Sequence, residues 1–471
     1  MDIKDFRKNA HDMVDWMADY MEGGVCDYPV RPVITPGEIK AKLPAAAPIE
    51  GESFGAIFKD FEDIAVPGLT HWQHPRFFGY FPANSSPPSV LAEMLTAALG
   101  VNVMMWETSP AATEIEEQML VWLRDMSGLP PSWQGVIQDT ASIATLCAVL
   151  TARERATGWQ SNSTGLRHQP QLTYYTSSES HSSVMKAMRI AGIGDEALRS
   201  VPLGDDLAMD ASALKGMIAD DILAGKKPTG IVATVGTTST GAVDPVRAIG
   251  EIANAHNIHL HVDSAWAGSA MICPEFRNLI DGLELADSFV SNPHKWLMTN
   301  FDCSVYYVKD ADALKRTFSI LPEYLKTKET GTVTDYRDWG VQLGRRFRAM
   351  KLWFVMRSYG VSGLQKIIRN HIAWANELAE IIQVDKDFEI VTGPNLSLIC
   401  FRVVAKDAYQ SDALTEKLVQ LVNDDGFTYL TRTIVKGRPA IRIQIGQTQT
   451  TRQDVLDAWE HIVNLKKTLK N

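Results

Sequence analysis

Although 45% of the 471 residues are apolar, no uninterrupted apolar run approaches the roughly 20 residues that cross a bilayer. Cysteine is sparse. Cys26, Cys147, Cys273, Cys303 and Cys400 are scattered, odd in number and free of any CxxC pair, which argues against a disulfide framework or a zinc site. Cys147 and Cys400 lie in apolar runs and read as core thiols. Positive charge is also in deficit. With 46 Lys and Arg against 56 Asp and Glu, the formal charge is −10, which speaks against a nucleic-acid or anionic-membrane partner, since both need basic patches. Neither GxGxxG after a strand nor GxxxxGK[ST] occurs, which disfavours nicotinamide and nucleoside-triphosphate chemistry. Internal repeats and low-complexity tracts are missing too. The opening MDIKDFRKNAHDM lacks the basic-then-apolar layout of a secretory leader, and the scattered, unpaired cysteines fit a reducing cytoplasm.

What is present is a long chain able to bury more than one core, hence at least two domains. Phe6, Ala10, Met13, Val14, Met17, Tyr20 and Met21 form a helical stripe. The stretch YPVRPVITPGEIKAKLPAAAP follows, too rich in proline to be a regular element and suited to an extended arm over its own domain or a partner subunit; an amphipathic helix with little core of its own favours the partner. From about residue 86 to 360, strand-like and helix-like segments alternate: Gly135 onward, 171–176, 229–235 and 258–263, with helices between. Asp244-Pro245 suits the start of a helix, with aspartate as N-cap. Such alternation predicts right-handed crossovers and a mostly parallel sheet, an α/β fold. The last hundred residues read as α+β: a helix at 373–382, strands at 397–404 and 440–445, and a closing helix at 455–469. The expected division is an N-terminal helical arm exchanged in a dimer (1–85), a large domain (86–362) and a small C-terminal domain (363–471).

Ligands of open α/β sheets bind at the carboxyl ends of strands. The predicted ends carry Thr140-Ala141-Ser142, Ser180-His181-Ser182, Gly236-Thr237-Thr238, Asp263-Ser264-Ala265 and Asn292-Pro293-His294-Lys295. Lys295, in SNPHKWL, stands in an otherwise apolar setting, and an unpaired buried ammonium is costly. By itself the window fits a lysine with its stem packed and its head in water. The Thr140–Ser142 turn ahead of a helix fits a phosphate cup or an ordinary N-cap. Asp263 fits a cationic partner, a cap or an ion pair, while His259 and His261 make a weak metal motif for want of a third ligand. One cofactor explains all five ends, pyridoxal 5′-phosphate (PLP). Lys295 would carry its aldehyde as an imine, Thr140 and Ser142 its phosphate, Asp263 its pyridinium proton, and His181 would face the ring.

The segments NPHKW, HVDSAWAGSAMICPEFR, GVIQDTASIATL and DYRDWGVQLGRRFRAMKLWF resemble the aromatic-L-amino-acid decarboxylases, the group II PLP-dependent decarboxylases, nearly end to end and most weakly after about residue 405. That resemblance implies a PLP fold type I architecture and a homodimer with its active sites at the subunit interface. It implies Lys295 as the Schiff-base lysine, Asp263 as partner of the pyridine nitrogen and His181 stacked on the ring. Ala141, Ser142, Thr238, Asn292 and His294 match positions around the cofactor or its phosphate, and Ala265 packs against the ring. Tyr336 matches the tyrosine of a mobile loop, here KTKETGTVTDYRDW, that protonates the intermediate. Relatives lacking that hydroxyl, or the histidine matched by His181, tend toward oxidative deamination to an aldehyde. Both residues are present, so decarboxylation to an amine is expected, with an aromatic aldehyde synthase as the alternative.

For the substrate, Trp72, Tyr80, Phe81 and Pro82 resemble an aromatic pocket wall, though HWQHPRFFGYF also suits a plain aromatic core cluster. Met104 stands where an aromatic ring of the neighbouring subunit is common, and Ala83 where threonine is common. Gly344 matches a position where glycine accompanies indolic substrates and serine phenolic ones. These features favour tryptophan, 5-hydroxytryptophan or phenylalanine over tyrosine and DOPA.

Overall fold

The computed structural model describes residues 1–320 and 332–469, in two compact units: 84–373, and 1–83 together with the C-terminal segment from 374. The first part of the expected mobile loop, 326–331, lies outside the described residues.

The larger unit is built on seven strands: β1 (Gln134–Gln138), β2 (Leu172–Ser177), β3 (Leu198–Val201), β4 (Lys227–Thr234), β5 (His259–Asp263), β6 (Ser288–Ser291) and β7 (Ser304–Val308). Their order across the sheet is β1-β7-β6-β5-β4-β2-β3. All neighbours run parallel except β7, which is antiparallel to both β6 and β1. β2, β5, β6 and β7 are buried along their whole length, as expected of strands covered on both faces. Crossover helices join them, among them Ala141–Ala156, Ala211–Leu223 and Val246–Ala255. The mostly parallel α/β sheet expected from the alternation is therefore present.

Two local expectations are corrected. Asp244 does not cap the helix that follows. Its carboxylate accepts the N–H groups of Thr234 and Met209, both at 2.7 Å, and the helix begins at Val246 with Pro245 as its N-cap. Those buried backbone donors would otherwise lack partners, a larger penalty than a lost cap. The proline-rich stretch does contain a regular element, the short helix Glu38–Lys42. The Thr35 N–H and hydroxyl both donate to the Glu38 carboxylate at 3.3 Å, which ties the chain ahead of the helix to its first turn.

In the smaller unit, β8 (Phe388–Asn395), β9 (Leu398–Val403), β10 (Thr431–Val435) and β11 (Arg438–Gln444) form an antiparallel sheet in the order β10-β11-β9-β8. Helices Ala408–Asp425 and Arg452–Thr468 supply much of its core, where the Trp459 ring meets Phe388 and Phe401 edge-on at 4.8 and 5.5 Å. The N-terminal segment joins this unit by strand-like contacts. Phe78 N–H donates to Tyr429 O, and Gln444 N–H donates to Phe78 O, each at 3.0 Å. The helix Ile3–Glu22 buries none of its residues fully, and its apolar stripe leaves Ile3 and Phe6 exposed.

Candidate active site

Lys295 lies in a one-turn helix, Pro293–Trp296, directly after the carboxyl end of β6. Its side chain is half-buried, between a buried His294 and a buried Trp296. The Asn84 side-chain amide donates to the Lys295 carbonyl, and the Asn84 N–H donates to His294 O at 3.0 Å, so the turn is fixed from outside its own hairpin. The Trp296 indole N–H donates to His371 Nδ1 at 2.9 Å and anchors the other side. His294 Nδ1 accepts the Cys303 N–H at 2.9 Å, which puts the proton of the neutral ring on Nε2. Burial, with Lys295 beside it, pushes the His294 pKa down to about 3.

Asp263 ends β5, the neighbouring strand, and is buried. One carboxylate oxygen accepts the Ala265 N–H at 3.0 Å. Burial raises the carboxyl above its ordinary pKa, while the nearby charges of Lys295 and His181 and the Ala265 N–H pull it back. His181 follows β2, stays exposed, and holds the Ser183 hydroxyl at 2.9 Å on Nδ1. Its pKa is lowered by partial desolvation first, raised by Asp263 and lowered again by Lys295. The structure thus brings the lysine, the aspartate and the histidine into one electrostatic cluster. A buried carboxylate whose ionisation depends on nearby cations suits a protonated ring nitrogen.

The turn after β1 supplies the donors. Thr140 is the N-cap of helix Ala141–Ala156 but makes no side-chain cap bond. Its hydroxyl donates to Asp139 at 3.1 Å instead. The first helical bonds come from Ile143 and Ala144 to Thr140 O, so among the described residues Ala141 and Ser142 keep their N–H groups unused. Exposed Ser142 adds a hydroxyl. That set fits a phosphate at a helix N-terminus. Thr238 is exposed in the loop after β4, which turns at Gly236 (φ +83). A Cβ there would stand 2.6 Å from that of Ala267, so only glycine lets this loop approach the β5 turn. The residues present therefore fit PLP.

Side chains with no local signature in the sequence tie these ends together. The Ser304 hydroxyl, at the start of antiparallel β7, donates to Asn292 Oδ1 at 2.7 Å and lies 3.3 Å from Asp139 O. The Gln342 amide donates to the Asp139 carboxylate at 2.7 Å, and the Gln138 amide to Trp339 O at 3.0 Å. The segment 339–345 is thereby fastened to the carboxyl end of β1. Arg345 completes the attachment by donating to Ile137 O at 2.9 Å and pairing with buried Glu116 at 2.6 Å. Only the tertiary fold brings these partners together.

Met104 and Gly344 come onto adjacent segments, with Arg337 N–H donating to Met104 O and Arg345 N–H to Asn102 Oδ1, each at 2.9 Å. Tyr336 is not brought to the Lys295 cluster. It is buried in the turn Tyr336–Trp339 with the Arg345 guanidinium 4.6 Å from its ring centroid. There it lines a cavity of about 260 Å³ with Trp133, Gln134, Gly135 and Tyr307, at the amino end of β1. That burial raises its phenol pKa well above the ordinary value. Trp72, Tyr80, Phe81 and Pro82 belong to the smaller unit, where the Trp72 ring stacks on Phe77 and Tyr80 at 4.6 and 5.6 Å. The weak metal motif is a hydrogen-bonded strand face: His261 Nδ1 lies 2.9 Å from the Ser288 hydroxyl and His259 lies beside Asp287. Among the described residues no group of three ligand-type side chains comes together.

The model of the pyridoxal-dependent decarboxylase conserved domain matches residues 36–404. The chain is 42% identical to the aromatic-L-amino-acid decarboxylase of Mus musculus, over 100% of this chain and 99% of that one. It is equally 42% identical to a phenylacetaldehyde synthase of Arabidopsis thaliana, over 98% and 96%. The crystal structure of Oryza sativa TDC with PLP and tryptamine superposes with a TM-score of 0.97 at 38% identity, covering 100% of this chain and 99% of that one.

Proposed function

The chain belongs to the pyridoxal-dependent decarboxylase family, a PLP-dependent carboxy-lyase, and from that premise we propose that it converts an aromatic L-amino acid into its amine and carbon dioxide. The single observation that carries this reading is the cluster of Lys295, Asp263 and His181 at the carboxyl ends of β6, β5 and β2, with the unused donors of Ala141 and Ser142 after β1. PLP supplies an aldehyde for amine exchange and a protonated ring that accepts the electron pair of the breaking Cα–carboxylate bond. Asp263 holds the proton on that ring nitrogen. His181 orients the ring from its open face, and the Ala141–Ser142 turn takes the phosphate. Lys295 would hold the cofactor by its aldehyde, leaving that carbon open to exchange with the substrate amine.

Tyr336 donates the proton to Cα in this reading, which selects amine over aldehyde. Its place at the opposite end of β1 from the Lys295 turn supports a homodimer in which each tyrosine serves the partner's site. The exposed apolar stripe of Ile3–Glu22 supports the same assembly. Mixing Lys295→Ala with Tyr336→Phe, each inactive alone for amine formation, will then restore amine formation to roughly a quarter of wild type, the share expected if half the dimers are mixed and one site of each works. If each tyrosine acts within its own chain, no mixture recovers.

Product analysis with tryptophan, 5-hydroxytryptophan, phenylalanine, tyrosine and DOPA tests the reaction. Equimolar amine and carbon dioxide are expected, and hydrogen peroxide with ammonia would establish the aldehyde synthase instead. Gly344 adds a test of substrate. A Cβ built there meets only Asn102 Nδ2, at 3.6 Å, so Gly344→Ser adds a hydroxyl without a clash. The same panel should show wild type favouring indolic substrates and the serine variant moving kcat/KM toward the phenolic ones by about tenfold, the effect of one new hydrogen bond. Wild-type preference for DOPA, with no change on substitution, would overturn the assignment.

A further inference from the structure

A cavity of about 450 Å³ opens at the amino ends of β4 and β5, the end of the sheet away from Lys295. Its volume suits a small organic ligand. Arg155, Lys226, Lys227, His256 and His259 line it together with Trp159, and no carboxylate does, on a chain of net charge −10. Two nearby carboxylates answer three cations: Asp287 binds Arg155 at 2.7 Å, while Asp221 takes both Arg199 at 2.8 Å and Lys226 at 3.1 Å.

Helices Ala141–Ala156, Ala211–Leu223 and Val246–Ala255 all end near this face, and helix carboxyl ends attract cations without any ligand. That accounts for Lys227, whose ammonium donates to Ala156 O. It leaves Lys226 and Arg155, which turn to carboxylates rather than carbonyls and retain further N–H donors. Trp159 is a separate observation. It sits at φ +65, a backbone region where a bulky side chain is disfavoured, directly after Gly158 at φ +62. One face of its ring carries the Arg316 guanidinium at 4.4 Å, and the ring lines the cavity. A flat aromatic wall beside several cations matches a ring that carries more than one negative charge.

We propose that this cavity is a second binding site, for an aromatic phosphate of nucleotide size, with its ring on Trp159 and its phosphates on Lys226, Lys227 and Arg155. The helix Ala141–Ala156 separates it from the cofactor end by about 24 Å at 1.5 Å per residue, so the two sites do not compete. The test is calorimetric titration of the PLP-saturated enzyme with ATP, tripolyphosphate and adenosine at fixed ionic strength. ATP is expected to bind at one site per chain. The Lys226→Gln/Lys227→Gln variant should weaken ATP and tripolyphosphate by about tenfold. Trp159→Leu should weaken ATP by about fivefold and leave tripolyphosphate unchanged. His256→Glu, at an exposed position whose substitution leaves the core intact, should also weaken ATP. No saturable ATP binding, or ATP binding indifferent to the lysine and His256 changes, overturns the site. Equal loss of ATP and tripolyphosphate on Trp159→Leu overturns the aromatic assignment.

Discussion

A Lys295→Ala enzyme will lose the visible absorbance of its bound cofactor, and its kcat will fall on the order of 10⁴-fold or more, the scale seen when a covalent participant is removed. The reason is local. Lys295 carries the only ammonium among the groups that act on Asp263, so alanine removes both the imine-forming amine and the larger of the two charges that favour the ionised carboxylate. The turn itself should survive, because Asn84 grips the Lys295 backbone carbonyl rather than its side chain. Wild-type circular dichroism with the absorbance gone is therefore the expected pair of results. Retained absorbance would place the imine on another lysine.

The second large effect belongs to Asp263 and has two opposite signs. Asp263→Asn should lower kcat by about 10³-fold, since an amide cannot keep a ring nitrogen protonated. In the cofactor-free protein the same change should raise the melting temperature at pH 7 by about 1–3 °C. Burial lifts the Asp263 carboxyl above its unfolded pKa, against the pull of Lys295 and His181. Between those two values the folded chain binds more protons than the unfolded one. Stability is therefore lost as pH rises from the unfolded pKa through the folded one, and the cost persists at neutrality. Asparagine carries no such charge, so the apo variant should also lose this part of its pH dependence. With PLP bound the order reverses, because wild type alone gains the ion pair. An apo variant less stable than wild-type apo protein would mean that Lys295 and His181 already outweigh the burial cost.

The chemistry of the site was legible where a residue type is costly without a purpose. Lys295, Asp263 and the Thr140–Ser142 turn stand at predicted strand ends, and the sheet bears out those ends. Buried strands announce themselves by apolar runs, and crossovers leave little freedom in how they pair. Residues that act through tertiary partners carried no such signal. Asn84 and Gln342 reach Lys295 and Asp139 across 211 and 203 residues, so no spacing rule exposes them. Asp244 misled for the complementary reason, since Asp-Pro is a good helix start, but buried Thr234 and Met209 amides claimed the carboxylate. Tyr336 was recognisable by motif but not by place, because its burial depends on Arg345 folding back over its ring.

The reversed strand β7 also bears on how the site assembles during folding. β6 and β7 pair Ser291 with Val305, fourteen positions apart, whereas β1 and β7 pair Gln138 with Ser304, 166 apart. Closing the longer loop costs about 2 kcal/mol more chain entropy. The hairpin bearing Lys295 is therefore a low-contact-order element, able to form early, and the Thr140–Ser142 turn joins it as a late, long-range closure. The Ser304 hydroxyl, bonded to Asn292 and close to Asp139, stands where those two events meet.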